Sequence, residues 1–199
     1  MFIVIALFAL IQGNLMSHFL PPHDHRLNEH SEEVPVDQIS SMEIQAIIDQ
    51  MLKISVGERN EPEKRGLVGL AAPQIGVFKR IIIVDVGVDT KRKEWGELKV
   101  YINPRIVDKS SELVTDREGC FSVDNHVCGL VPRAQWIKIA AYDRDGNTVE
   151  ERYTDYTARI FQHEIDHLNG VLFIDHLSSI KRDRVRKHLL GLSKEKKNS

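Results

Sequence analysis

Residues Phe161-Gln-His-Glu-Ile-Asp-His-Leu-Asn-Gly170 set two histidines, His163 and His167, four positions apart in a stretch of helical character. No other feature restricts the fold as strongly. Residues four apart on an α-helix share a face, so two imidazoles at that spacing can grip one metal ion while Glu164 stands beside its water. The pattern predicts a helix from about Asp155 to Asn169, with Ile160, Phe161 and Leu168 as core contacts and Gly170 suited to a left-handed C-terminal cap. Such a helix points to metal-assisted hydrolysis if the chain also supplies a third ligand and leaves one coordination position open.

The rest of the chain reads as α+β, with mostly antiparallel sheets packed around this central helix, an amphipathic helix near the N-terminus and a helix at the C-terminus. Ser40-Ser-Met-Glu43 resembles a capping box, and Ile44, Ile47, Ile48, Met51 and Leu52 follow at helical spacing. The charged stretch Gly57 to Arg65 is expected to be a loop. Arg80 to Val86 and Leu98 to Asn103 read as strands, and Trp136 to Tyr142 and Thr148 to Tyr153 as a hairpin around Asp143 to Asn147. Val171 to Ile174 is a short strand or turn. A last helix, Ile180 to Leu190, carries Lys181, Arg182, Arg184, Arg186 and Lys187, with Ile180, Val185 and Leu189 as its apolar contacts.

With 199 residues, 42% of them hydrophobic, the chain can build one buried core, expected over 17–199. Residues 1–16 are an apolar extension of uncertain status. They lack the basic residues that precede a secretory core and are too short to span a bilayer, so Met16 is a plausible start and no membrane partner is expected. His18, His23, His25 and His30 lack any regular spacing and are expected at the surface. A net charge of −2 gives no global drive toward nucleic acid. The two cysteines, Cys120 and Cys128, suit a ligand role or a reducing compartment better than a disulfide framework.

Where metzincin-type proteases carry their third histidine, this chain has Phe173, which excludes that arrangement. Two candidates remain for the third ligand. His176 lies beyond the end of the helix, whereas Cys120, in Glu118-Gly-Cys-Phe-Ser122, would complete a ligand set suited to a divalent transition metal.

Three segments together, Gly69-Leu-Ala-Ala-Pro-Gln74, Glu118-Gly-Cys120 and Gln162-His-Glu-Ile-Asp-His167, resemble in order and separation the signature motifs of the peptide deformylases, and the similarity runs from about Leu20 to Leu177. The resemblance implies a cytoplasmic hydrolase of N-terminal processing in protein biosynthesis. Its activity would be removal of the formyl group from the N-formylmethionine of nascent polypeptides, releasing formate, with metal-activated water as nucleophile. It implies Cys120, His163 and His167 as metal ligands, Glu164 as general acid/base, and Gln74 with the backbone N–H of Phe121 as donors to the formyl oxygen. It further implies one divalent ion per chain, Fe(II) as the native metal, with Zn(II), Ni(II) or Co(II) as ions the site also admits.

Gly69 would let a peptide run beside its backbone, and Val68, Tyr156 and Ile160 are candidates for the pocket that takes the methionine side chain. The basic last helix is a candidate for ribosome docking through phosphate contacts. Export or an organellar location is the alternative if residues 1–16 are a targeting segment. The chain departs from the family pattern at Leu67, where a glycine is usual, and at Phe121-Ser-Val-Asp124, where many relatives read Leu-Ser-x-Pro. The loop leading to Val131 is also about one residue longer than in common bacterial forms. A metallopeptidase using His176 as ligand and a non-enzymatic relative that binds formylated peptides are the competing readings.

Overall fold

The computed structural model describes residues 19–22, 24–59, 66–91, 93–123 and 127–195. The apolar extension, His18, His23, residues 60–65 of the expected loop and residues 124–126 of the long loop lie outside the described residues. The elements in chain order are α1 (Met42–Arg59), β1 (Gly69–Ala71), β2 (Ile81–Val86), β3 (Glu97–Lys109), β4 (Leu113–Gly119), β5 (Cys128–Ala134), β6 (Trp136–Tyr142), β7 (Thr148–Thr154), α2 (Asp155–Leu168) and α3 (Ser179–Glu195). Five strands form an antiparallel sheet in the order β1-β2-β3-β6-β7, and β4 pairs with β5 as a separate two-stranded sheet. The fold is α+β with antiparallel sheets.

The sequence of β2, Ile81-Ile-Ile-Val-Asp-Val86, explains the layering. Successive side chains of a strand point to opposite faces, and here both faces are covered. Ile82 and Val84 join Ala158, Phe161, Ile165 and Leu168 of α2 in one core. Ile81 and Ile83 join Ile44, Ile48, Met51 and Ile54 of α1 in another. The sheet therefore lies between the two helices, and a strand buried on both sides carries an unbroken apolar run. Phe161 anchors the α2 side, with its ring edge-on to Tyr101 at 4.8 Å and stacked on Tyr153 at 4.5 Å. A third cluster seats Val185 and Leu189 of α3 against Val131, Leu172 and Phe173.

Several elements differ from the sequence expectation. Ser41, rather than Ser40, caps α1, its hydroxyl accepting from the Ile44 N–H at 3.3 Å. That helix continues through Gly57 to Arg59, held on the core by buried Ile54 and Ser55. The strand expected to stop at Asn103 runs on to Lys109 through Pro104. Proline cannot donate to the ladder, and the pairing accordingly shifts register between Ile102 and Arg105. Asn103 takes a positive φ at this point, and its side chain exchanges two hydrogen bonds with the Val34 backbone, at 2.9 and 2.7 Å. Val171 to Ile174 leads into a short 3-10 helix, Phe173–His176. In α3, which extends past Leu190, Val185 and Leu189 pack inward, whereas Ile180 is 74% exposed because the helical period puts it on the side opposite Leu189.

Candidate functional site

α2 carries an apolar stripe, Ala158, Phe161, Ile165 and Leu168, against the sheet. The helical period then turns His163 and His167 toward the β4–β5 hairpin. The helix ends at Asn169, and Gly170 follows with φ of +69°. A Cβ there would fall 2.6 Å from the Asn28 carbonyl carbon, so both backbone conformation and space call for glycine. Cys120 reaches the same spot from the end of β4. The ligand atoms of Cys120, His163 and His167 lie within 4.8 Å of one another, with Cys120 Sγ 3.1 Å from His167 Nε2.

Behind these three groups lies a buried charge network. Glu118 Oε2 is 2.9 Å from His163 Nδ1, which leaves Nε2 of that ring to face Cys120 and His167. The same carboxylate accepts a two-pronged contact from Arg133 (Nε 2.9 Å, Nη2 3.0 Å) and one from Arg159 Nη1 at 2.8 Å. Arg133 reaches on to Asp166 Oδ2 at 2.6 Å, and His176 Nε2 lies 2.7 Å from that same oxygen. Burial works to raise the Glu118 pKa, but hydrogen bonds from His163 and Arg133 outweigh it and hold the carboxyl well below the usual carboxylate range. Cys120 behaves alike: burial would raise its pKa, and the adjacent His167 and His163 bring it well below that of an ordinary thiol.

Glu164 stands apart from that network. It is buried, and burial lifts its pKa to about 7 against the pull of His163 and His167. Among the described residues its Oε2 has no hydrogen-bond partner. Gly69 passes directly over this carboxylate, and a Cβ at that position would sit 2.8 Å from Glu164 Cδ. The glycine is therefore required by the carboxylate itself, as well as offering open backbone along the edge of β1.

Gln74 sits buried in a short 3-10 helix, Ala72–Ile75, immediately after β1. Its Oε1 accepts from the Ala71 N–H at 2.8 Å, which fixes the amide so that Nε2 points to Ser122 Oγ at 3.1 Å and Cys120 Sγ at 3.4 Å. Phe121 stacks on Phe19 at 5.6 Å. A cleft of about 110 Å³ opens in front of these groups. Val68, Gly69 and Gln74 form one wall, Cys120 and Phe121 the other, and Tyr156, Ile160, His163 and Glu164 the floor. The fold thus gathers nine of the ten expected site residues around one cleft, and His167 joins the metal-ligating cluster beside it.

The polypeptide deformylase family matches residues 16–183. The chain belongs to this family. Solved deformylases agree in fold. That of Ehrlichia chaffeensis is 32% identical with a TM-score of 0.75 over 89% of this chain and 97% of its own, and that of Legionella pneumophila is 33% identical with 0.72 over 91% and 97%. A class I type b deformylase from Acinetobacter baumannii, solved with Met-Ala-Ser bound, is 31% identical with 0.70 over 80% and 96%.

The donor set of this deformylase fits the divalent metal that its family implies. Two imidazoles and a low-pKa thiol converge, one imidazole is oriented by a carboxylate, and a buried oxygen of Glu164 is left without a partner. His176 does not join the cluster. It lies on Asp166 and Arg133, 3.3 Å from the latter, so the histidine considered as a rival ligand is a partner of the charge network instead. Sequence reasoning missed that network. Glu118 figured only as a motif letter, and Arg133, Arg159 and Asp166 had no role. The available signal was that a metal-binding histidine nearly always has a partner on its second nitrogen.

Proposed function

We propose that this deformylase removes the formyl group from the N-formylmethionine of newly made polypeptides, releasing formate and a free amine. Cys120, His163 and His167 would hold one divalent ion, Fe(II) in the native enzyme, with Zn(II), Ni(II) or Co(II) able to replace it. When bound, the ion supplies Lewis acidity that makes water a usable nucleophile at neutral pH. The observation that carries the reading is Glu164, a buried carboxyl with one unpartnered oxygen, next in sequence to one of these ligands.

A carboxyl so placed takes a proton from the attacking water and returns it to the departing amine. The water oxygen bonds to the formyl carbon, the carbon–nitrogen bond breaks, and the proton ends on the new amine. As the carbon becomes tetrahedral its oxygen gains charge, and Gln74 Nε2 with the Phe121 N–H would donate to it. The bond from Ala71 to Gln74 Oε1 supports this role because it keeps the amide nitrogen turned toward Cys120.

β1 is the edge strand of its sheet, so an extended peptide can pair beside Gly69. Val68, Tyr156 and Ile160 would then receive the methionine side chain, an assignment supported by their place around the cleft. Action on nascent chains supports a cytoplasmic site, at the ribosome, with an exported or organellar one as the alternative if residues 1–16 are a targeting segment. The exposed Lys181, Arg184 and Lys187 of α3 would supply phosphate contacts there, and among the described residues no helix is long and apolar enough to cross a membrane. Two measurements test the reading: formate release from formyl-Met peptides by oxygen-free, iron-loaded protein, and salt-dependent ribosome co-sedimentation with and without residues 178–199. No formate release refutes the activity, and salt-independent or truncation-insensitive binding refutes the docking.

A further inference from the structure

Strand alternation sends consecutive residues of β4 in opposite directions. Glu118 points inward to Arg133, Arg159 and His163, so Arg117 points outward, where it is exposed and lines the mouth of the cleft that holds Gly69 and Cys120. Gly119 pairs with Cys128 across the hairpin, which brings the Cys128 thiol to the same rim. Arg117 Nη2 lies 2.7 Å from Cys128 Sγ. Its guanidinium thus rests on a thiol, and among the described residues no carboxylate pairs with it. The other described charged groups around the cleft are accounted for: Glu118 and Arg159 belong to the buried network in which Glu118 and Asp166 balance Arg133 and Arg159, and Glu164 lies buried on the floor. Among the described residues, the mouth consequently carries one exposed positive charge, that of Arg117.

We propose that Arg117 is a specificity-determining residue that favours substrates with an acidic side chain shortly after the formylmethionine. The proposal rests on the deformylase reading, which places the formyl group at Cys120 and lays the peptide along the edge of β1. Arg117 stands three residues before Cys120 on an extended strand, roughly 10 Å away at about 3.3 Å per residue. A peptide leaving the cleft covers that distance in two or three residues, so a carboxylate at the second or third residue comes within reach of the guanidinium. Because the rim is exposed, the preference is modest and screened by salt: about two- to five-fold in kcat/KM at low ionic strength.

The experiment compares formate release from formyl-Met-Ala-Glu, formyl-Met-Ala-Ser and formyl-Met-Ala-Lys peptides, and from the same series with the charge at the second residue. Three proteins are used: wild type, Arg117→Glu, and Cys128→Asp, which keeps the arginine but gives it an internal carboxylate. The expected order for wild type is Glu over Ser over Lys, collapsing near ~1 M salt, where the screening length falls to about 3 Å. Arg117→Glu should reverse the order, and Cys128→Asp should level it. Equal rates in wild type, a preference for Lys, or an order that survives both substitutions would overturn the proposal while leaving the deformylase reading intact. Release from none of the peptides would overturn both.

Discussion

Replacing Glu118 by alanine tests the charge network most severely. The Glu118 carboxylate accepts two contacts from Arg133 and one from Arg159, and faces His163 Nδ1, all at 2.8 to 3.0 Å, with a side chain only 5% exposed. Removing one partner of a buried ion pair costs about 3 to 5 kcal/mol because the remaining charge is stranded. Each arginine here keeps some compensation. Arg133 retains Asp166 at 2.6 Å, and Arg159 retains the carbonyls of Val131 at 2.9 Å and Val114 at 2.6 Å. The loss should therefore fall near the lower limit, about 3 kcal/mol, a large share of the ~5 to 15 kcal/mol by which domains are stable. Urea unfolding of the metal-free variant beside metal-free wild type measures it. The same substitution frees the His163 ring, and metal affinity measured against a competing chelator should fall about 10- to 100-fold. A stability loss below about 1 kcal/mol together with unchanged metal affinity would refute the assignment of Glu118 as the group that orients His163 and neutralises the arginines.

Three further outcomes follow from the geometry. Gly69→Ala drives a Cβ into the Glu164 carboxylate, so kcat should fall at least about 10-fold while the metal content of the purified protein stays at the wild-type level. Gln74→Ala should lower kcat by roughly 10²-fold with metal retained, read from steady-state formate release. Glu118 and Asp166 both have folded pKa values below their ordinary 4.5 and 3.8, so the stability they contribute is complete above about pH 5 and is lost as the pH falls through the lowered values. Acid unfolding followed by circular dichroism should show this loss, and Glu118→Gln should flatten it.

What could be read in advance depended on whether the controlling interactions were local. The helix α2 was legible because His163, His167, Phe161 and Gly170 all obey one helical period and one cap. β2 was legible because burial on both faces leaves an uninterrupted apolar run. The hairpin β4–β5 was not: most of β4 is exposed, its one buried side chain is Glu118, and β5 contains Gly129 and Pro132, so neither shows apolar alternation. The network was hidden for a related reason. Glu118 meets Arg133 fifteen and Arg159 forty-one residues away, and only the folded chain brings an inward carboxylate to two inward guanidiniums. Gly69 was singled out for its open backbone, whereas its tightest constraint comes from a carboxylate in a helix far along the chain.

The central claim is that Cys120, His163 and His167 hold a metal at which Glu164 moves the proton in deformylation. Its most direct test is a paired measurement on oxygen-free, iron-loaded protein: metal per chain and formate released from formyl-Met-Ala-Ser, for wild type and Glu164→Ala. The account predicts one metal ion per chain in both proteins, with formate released by wild type and essentially none by the variant. Formate release by Glu164→Ala at the wild-type rate, or none from the metal-loaded wild type, would contradict it.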